Sequence, residues 1–202
     1  MTTTRVRKSA EDRKAEIVAA AIRVAGEIGP DRVTADRLAA EVGLTQPAIF
    51  RHFLDKAAIW QAVAEQISTA LDVDAERTAP ASSASERLTL LAARHLGHLA
   101  RNPAIPAILF SRELHAGNDG LRQVFQRIMS NRQSVFAAIL SDGIASGEFR
   151  EDIDTAKGAA LILTVIQGAA MRWSLAGRSG NLEADGQAML ILALDGFRPG
   201  PA

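Results

Sequence analysis

The sequence predicts an all-α protein of about nine helices, three short ones ahead of a larger bundle. Three observations predict it. Apolar residues recur at spacings of three and four from Ile17 to Leu194, and no stretch alternates with the period of a strand. Ser, Thr, Asp or Asn stands where most of the apolar stripes begin. Gly-Pro, Asn-Pro and isolated Gly stand where several of them end.

The elements follow in order. Ser9 with Asp12 makes a capping box for the first helix, whose stripe is Ile17, Ala21, Val24 and Ile28. Gly29-Pro30 ends it. Thr34 caps the second helix, with Val33 and Leu38 at the staple positions, and Gly43 stops it in a left-handed turn. Leu44, Thr45 and Ile49 repeat that staple-cap-staple arrangement; Pro47 is tolerated in a first turn and leaves Thr45 or Gln46 as the cap. Asp55 or Lys56 opens a fourth helix through Ile59, Trp60, Val63, Ile67 and Leu71 to about Arg77. The Pro- and Ser-bearing run from Thr78 to Ser85 is the one compositional break.

Beyond it, Ser83 and Glu86 cap a helix that ends before Asn102-Pro103. Ile105 to Leu114 reads as one short helix and Leu121 to about Ser146 as one long one. Asp154 and Asn181 cap the last two. The domains expected are 1–55, a connecting helix over 56–77, and 78–202.

Two helices joined by a short turn containing Gly make a helix-turn-helix, whose second helix fits a DNA major groove. Leu44, Ile49 and Phe53 are expected to point inward. Thr45, Gln46, Pro47 and Ala48 are then left to face base edges, and Gln46 has the geometry to read adenine. Arg51, His52 and Lys56 are expected near phosphates, Arg51 also being suited to guanine. Thr34 offers a hydroxyl at a helix N-terminus.

The 202 residues carry no net charge, but residues 1–56 are net +2, with a basic arm at Arg5, Arg7, Lys8, Arg13 and Lys14. No cysteine is present, which excludes disulfides and thiolate chemistry. The polar N-terminus and the shortness of the apolar run Gly158–Met171 predict a soluble cytoplasmic protein without a membrane partner. No glycine-rich phosphate loop and no nucleophile–base set occurs, although His52, His95, His98 and His115 could act as bases. His95 and His98 could share a metal, but no further ligand is near in sequence, so neither metal nor cofactor is expected.

The string VTADRLAAEVGLTQPAIFRHFLDKAAIW resembles the DNA-binding domain of the tetracycline-repressor (TetR) family. The resemblance rests on Thr34, the LAAEVGLT turn, the aromatic Phe50, the His52-Phe53 pair, Lys56, Ile59 and Trp60, and spans about Ala15 to Val63. GEFREDID near Gly147, followed by a long apolar helix, extends it. The family usually has Tyr at the position of Phe50, and often a small polar residue at that of Asp55. The resemblance implies a ligand-responsive repressor, with a small-molecule cavity among the fourth to eighth predicted helices. Trp60, His95, Leu99, Phe110, Phe125, Met129, Arg132 and Trp173 are the candidate lining, for an apolar or aromatic effector.

The last two helices are apolar nearly all round and need cover beyond their own core. Two such helices from each of two copies would form a four-helix bundle, with Ile162, Ile166, Ala169, Ala170, Met189, Leu190 and Leu194 as candidate interface. The function expected is a homodimeric, ligand-responsive repressor on a (pseudo)palindromic double-stranded DNA operator, and not an enzyme. A helical enzyme and a protein-interaction adaptor are the alternatives.

Overall fold

The computed structural model describes residues 8–75 and 83–200. The basic residues Arg5 and Arg7, the helix end near Arg77, the linker around Pro80 and the side chain of Leu71 lie outside the described residues. Ten α-helices and one 3₁₀ turn occur among those described.

α1 (Ala10–Ile28) starts at the Ser9–Asp12 capping box and buries Ile17, Ala21 and Val24. Its end is fixed by Gly29, whose φ of +86° suits glycine, and a 3₁₀ turn at Pro30–Arg32 follows. α2 (Ala35–Val42) is capped by Thr34, which accepts from the Arg37 amide, and ends at left-handed Gly43. α3 is only Gln46–Ile49. Its N-cap is Thr45, whose side chain makes no capping hydrogen bond. The reason is local: Pro47 has no N–H to give, and the Ala48 amide goes to the Thr45 carbonyl at 2.9 Å. The chain then tightens: the His52 and Phe53 amides both bond the Ile49 carbonyl, at 3.0 and 3.1 Å. An Arg23–Glu41 ion pair ties α1 to α2.

α4 (Lys56–Ala75) begins where Asp55 Oδ1 accepts from the Ala58 amide at 2.8 Å. α5 (Ala84–Arg101) carries the Ser83–Glu86 capping box. Its first amides are also held from a distance, since Glu148 accepts from Ala84 and Ser85 at 2.7 and 2.8 Å. The segment read as one helix over Ile105–Leu114 is two, α6 (Ala104–Phe110) and α7 (Arg112–His115). Ser111 separates them because its hydroxyl caps α7 while its backbone is extended. This break accounts for ten helices in place of nine.

α8 (Asp119–Ala145), α9 (Thr155–Leu175) and α10 (Leu182–Asp195) complete the chain, capped by Asn118, Asp154 and Asn181. α9 packs between α8 and α10, and α10 also lies on α5. At 21 residues α9 outruns the apolar run seen in the sequence and is long and apolar enough to cross a membrane by length and composition. Gly158, Ile162, Ile166 and Ala169 are nonetheless buried in the chain's own core. Gly143 on α8 lets the start of α5 and Phe149 come close: a Cβ there would lie 2.3 Å from Phe149 Cδ2 and 2.8 Å from Ala84 Cβ.

Candidate nucleic-acid interface and ligand cavity

One end of the molecule is the α2–turn–α3 unit. Its inner side is Val33, Leu38, Ile49 and Phe53, all buried against α1 and α4. Its outer side carries Thr45, Gln46, Pro47 and Arg51, all exposed, with Ala48 and His52 half-buried. Thr34 and Lys56 are exposed at the N-termini of α2 and α4. Phe50 is 40% exposed and Leu54 89%, so an apolar edge runs beside these polar groups. The arrangement presents side-chain donors around a short helix N-terminus with no packing on its outer face, the shape that enters a groove. Asp55, out of pattern for the resembling family, has a local purpose in capping α4.

The second feature is a cavity in the C-terminal bundle. It is lined from α4 by Ile67, from α5 by His95 and Leu99, and from α6 by Ile105, Pro106, Leu109 and Phe110. α8 adds Phe125, Ile128 and Met129, and α9 adds Ile166, Gln167 and Ala170. The lining is hydrocarbon except at His95, Gln167 and the Met129 thioether. Its free space is about 20 Å³, room for roughly one water. Side chains therefore have to move for anything larger to enter.

Five of the eight candidate lining residues meet here: His95, Leu99, Phe110, Phe125 and Met129. The other three do not. Trp60 is 2% exposed and faces a crevice with Pro30, Asp31, Lys56 and Glu113. Trp173 is half-buried and borders a different crevice with Arg172, Asp185 and Met189. Arg132 is buried beside His95 but is not part of the lining. Burial, with Arg132 and His98 nearby, pushes the His95 imidazole down to about 3, so the ring is neutral near pH 7. Ile67, Pro106 and Gln167 carry no local signal of a cavity, since each lies on a different helix and only tertiary structure gathers them. Among the described residues no three His, Cys, Asp or Glu side chains cluster as metal ligands.

The candidate interface residues need correction. Ile162, Ile166, Ala169, Ala170, Leu190 and Leu194 are all buried inside the single chain, and Met189 is half-buried. The uncovered apolar side of α9 and α10 is instead Leu161 (44% exposed), Leu175 (80%), Ile191 (48%) and Leu192 (74%). Apolar helices with no polar stripe hide which face turns inward, and the pattern alone points to the covered one.

The C-terminal bundle touches α1 and the 3₁₀ turn that leads into α2. α6 lines the cavity and packs on α1, where Ala104 Cβ would touch a Cβ at Gly26 at 3.6 Å. Ser111 donates to Asp31 Oδ1 at 2.5 Å, and Arg178 donates to the Gly26 carbonyl at 2.6 Å.

Residues 17–63 match the profile of bacterial regulatory proteins of the tetR family, and residues 63–196 match that of the YsiA-like protein C-terminal region. The chain belongs to the tetR family of bacterial regulatory proteins. Family members of this kind are ligand-responsive, DNA-binding regulators built on the same helix-turn-helix and C-terminal helical domain. The chain is similar to the fatty acid metabolism regulator protein of Bacillus subtilis, at 26% identity over 90% of this chain and 94% of that one. It is similar to the HTH-type transcriptional regulator TtgR of Pseudomonas putida, at 25% identity over 98% and 97%. The crystal structure of FadR from Bacillus subtilis in complex with stearoyl-CoA superposes with a TM-score of 0.74 at 25% identity, covering 91% of this chain and 99% of that one.

Proposed function

We propose that this tetR-family regulator is a homodimeric repressor that holds a (pseudo)palindromic operator and releases it when an apolar small molecule fills the C-terminal cavity. One observation carries the reading. α4 bears Lys56 beside the recognition helix at one end and contributes Ile67 to the cavity wall further along. Eleven residues of helix span about 16 Å, so whatever shifts Ile67 is transmitted along a rigid rod to Lys56.

In this reading Thr45, Gln46, Pro47 and Ala48 read base edges. Thr34, Arg51, His52 and Lys56 hold phosphates, and Phe50 packs at the backbone without a phenolic hydroxyl to give. Residues 1–55 are the reader, 56–77 the connecting helix, and 78–202 the ligand-binding and dimerisation domain. The dimer forms through Leu161, Leu175, Ile191 and Leu192, the large apolar side chains that α9 and α10 leave exposed. The protein works by binding, not catalysis, in the cytoplasm where its DNA is.

The Bacillus subtilis structure contains stearoyl-CoA, and the lining here is rich in hydrocarbon. A long-chain acyl thioester is therefore the first effector class to test. The experiment is a gel shift on DNA immediately upstream of the coding region, with and without lauroyl-CoA and stearoyl-CoA. A retarded complex that the thioesters dissolve supports the reading. A complex unaffected by them, or by any apolar compound screened, makes the protein a constitutive repressor, and no complex at all removes the DNA-binding role.

A further inference from the structure

A hydrocarbon effector would leave two polar groups in this cavity without good partners. His95 is 6% exposed, and its Nδ1 is buried with no hydrogen-bond partner. Gln167 points its Nε2 at the Met129 sulfur, 2.8 Å away, and a thioether is a weak acceptor for an amide. Both side chains line the same cavity, and no other lining side chain carries a nitrogen or oxygen. Buried polar groups in folded chains are otherwise paired, and leaving one unmet lowers affinity for any occupant that cannot answer it.

We propose that the effector carries a neutral oxygen function, carbonyl or hydroxyl, inside its otherwise apolar body, and that His95 and Gln167 select for it. This rests on the cavity being the effector's seat. The chemistry fits the pair. A neutral imidazole has one N–H and one bare nitrogen, and an amide has both a donor end and an acceptor end. A carbonyl accepts from either side chain, and a hydroxyl both accepts and donates. A carboxylate is disfavoured, because the lining itself carries no cation, Arg132 standing beside His95 but outside it. Met129 is the residue that yields: it is flexible, and turning it away frees the Gln167 amide for the ligand.

The test uses the purified full-length protein and two small probes, acetophenone and α-methylstyrene. They share one shape and differ in a single oxygen for methylene exchange. Binding is measured by calorimetry and by the nitrogen chemical shifts of the His95 ring. Acetophenone is expected to bind about tenfold more tightly and to move those shifts. His95→Phe is expected to abolish the preference, and His95→Gln to restore part of it, with circular dichroism confirming that each variant is folded. Gln167→Leu provides an independent variant and should halve the preference or more. Equal affinity for the two probes overturns the proposal. So does a preference that survives His95→Phe, or a failure of acetophenone to bind at all. Operator release by lauroyl-CoA is scored separately: its absence counts against the functional reading, whereas oxygen selection is decided by the aromatic pair alone.

Discussion

Ser111 and Asp31, 80 residues apart, share a 2.5 Å hydrogen bond that joins the end of the cavity-lining α6 to the turn between α1 and α2. Asp31→Ala removes this link and leaves the Ser111 cap of α7 intact. The expected outcome is a small change in thermal stability but a roughly fivefold to tenfold weaker response of operator affinity to ligand. Operator titrations with and without effector measure it. An unchanged ratio of the two affinities would show that the link plays no part in coupling.

Lys56 and Gln46 are expected to divide in their effects on DNA binding. Lys56→Ala is expected to weaken binding on every sequence and to flatten the dependence of log affinity on log salt by about 0.9. Gln46→Ala is expected to redistribute preference among operator variants, with about 1–3 kcal/mol lost at one base pair. Fluorescence anisotropy over a salt series and an operator panel separates the two. Identical behaviour of both variants contradicts the division.

The two sides of α9 and α10 respond differently to charge. Leu192→Glu, on the exposed side, is expected to give a folded monomer with operator affinity reduced roughly 100-fold. Ile166→Glu, 1% exposed, is expected to cost about 4 kcal/mol or more and to unfold the chain. Sedimentation with circular dichroism distinguishes a folded monomer from an unfolded chain. A dimeric Leu192→Glu protein would move the interface elsewhere.

Acid sensitivity follows from His95. Its imidazole titrates near 6.5 in the unfolded chain and at about 3 when folded, chiefly because it is buried. Below pH 6.5 the unfolded chain therefore binds a proton that the folded chain refuses. Stability is complete above that pH and falls as the pH drops toward 3, by about 1.4 kcal/mol per pH unit. At about pH 5 the loss is roughly 2 kcal/mol, and His95→Phe removes it. Urea unfolding of both proteins near neutrality and near pH 5 is the check, and parallel losses in both would clear His95 of the effect.

Gly143 is where α8 admits its neighbours. Gly143→Ala favours a helix by about 1 kcal/mol in isolation, yet its Cβ would lie 2.3 Å from Phe149 Cδ2. The expected result is a net destabilisation of about 1–3 kcal/mol in urea unfolding. A more stable variant would show that Phe149 rearranges freely.

Much of this architecture was legible in local chemistry. Ser9, Thr34, Ser83, Asp154 and Asn181 each accept the amide hydrogen bond that their spacing promised. A cap is decided within four residues, so sequence alone reveals it. The break at Ser111 obeys the same local rule, its hydroxyl accepting from the Leu114 amide, but the apolar spacing from Ile105 to Leu114 runs across it and masks the cap. The inward faces of α9 and α10 were not legible, because both sides are apolar and the choice rests with α5 and α8. Trp60 and Trp173 looked like cavity residues by type, but their positions turn them toward other crevices.

α9 has two audiences. Ile166, Gln167 and Ala170 border the hollow on one side, while Leu161 and Leu175 stand in the open on the other. The thickness separating them is one α-helix, about 10 Å. In the proposed dimer, a guest that displaces Ile166 would tilt the very surface on which the second subunit rests, and the two subunits would have little insulation from each other's occupancy.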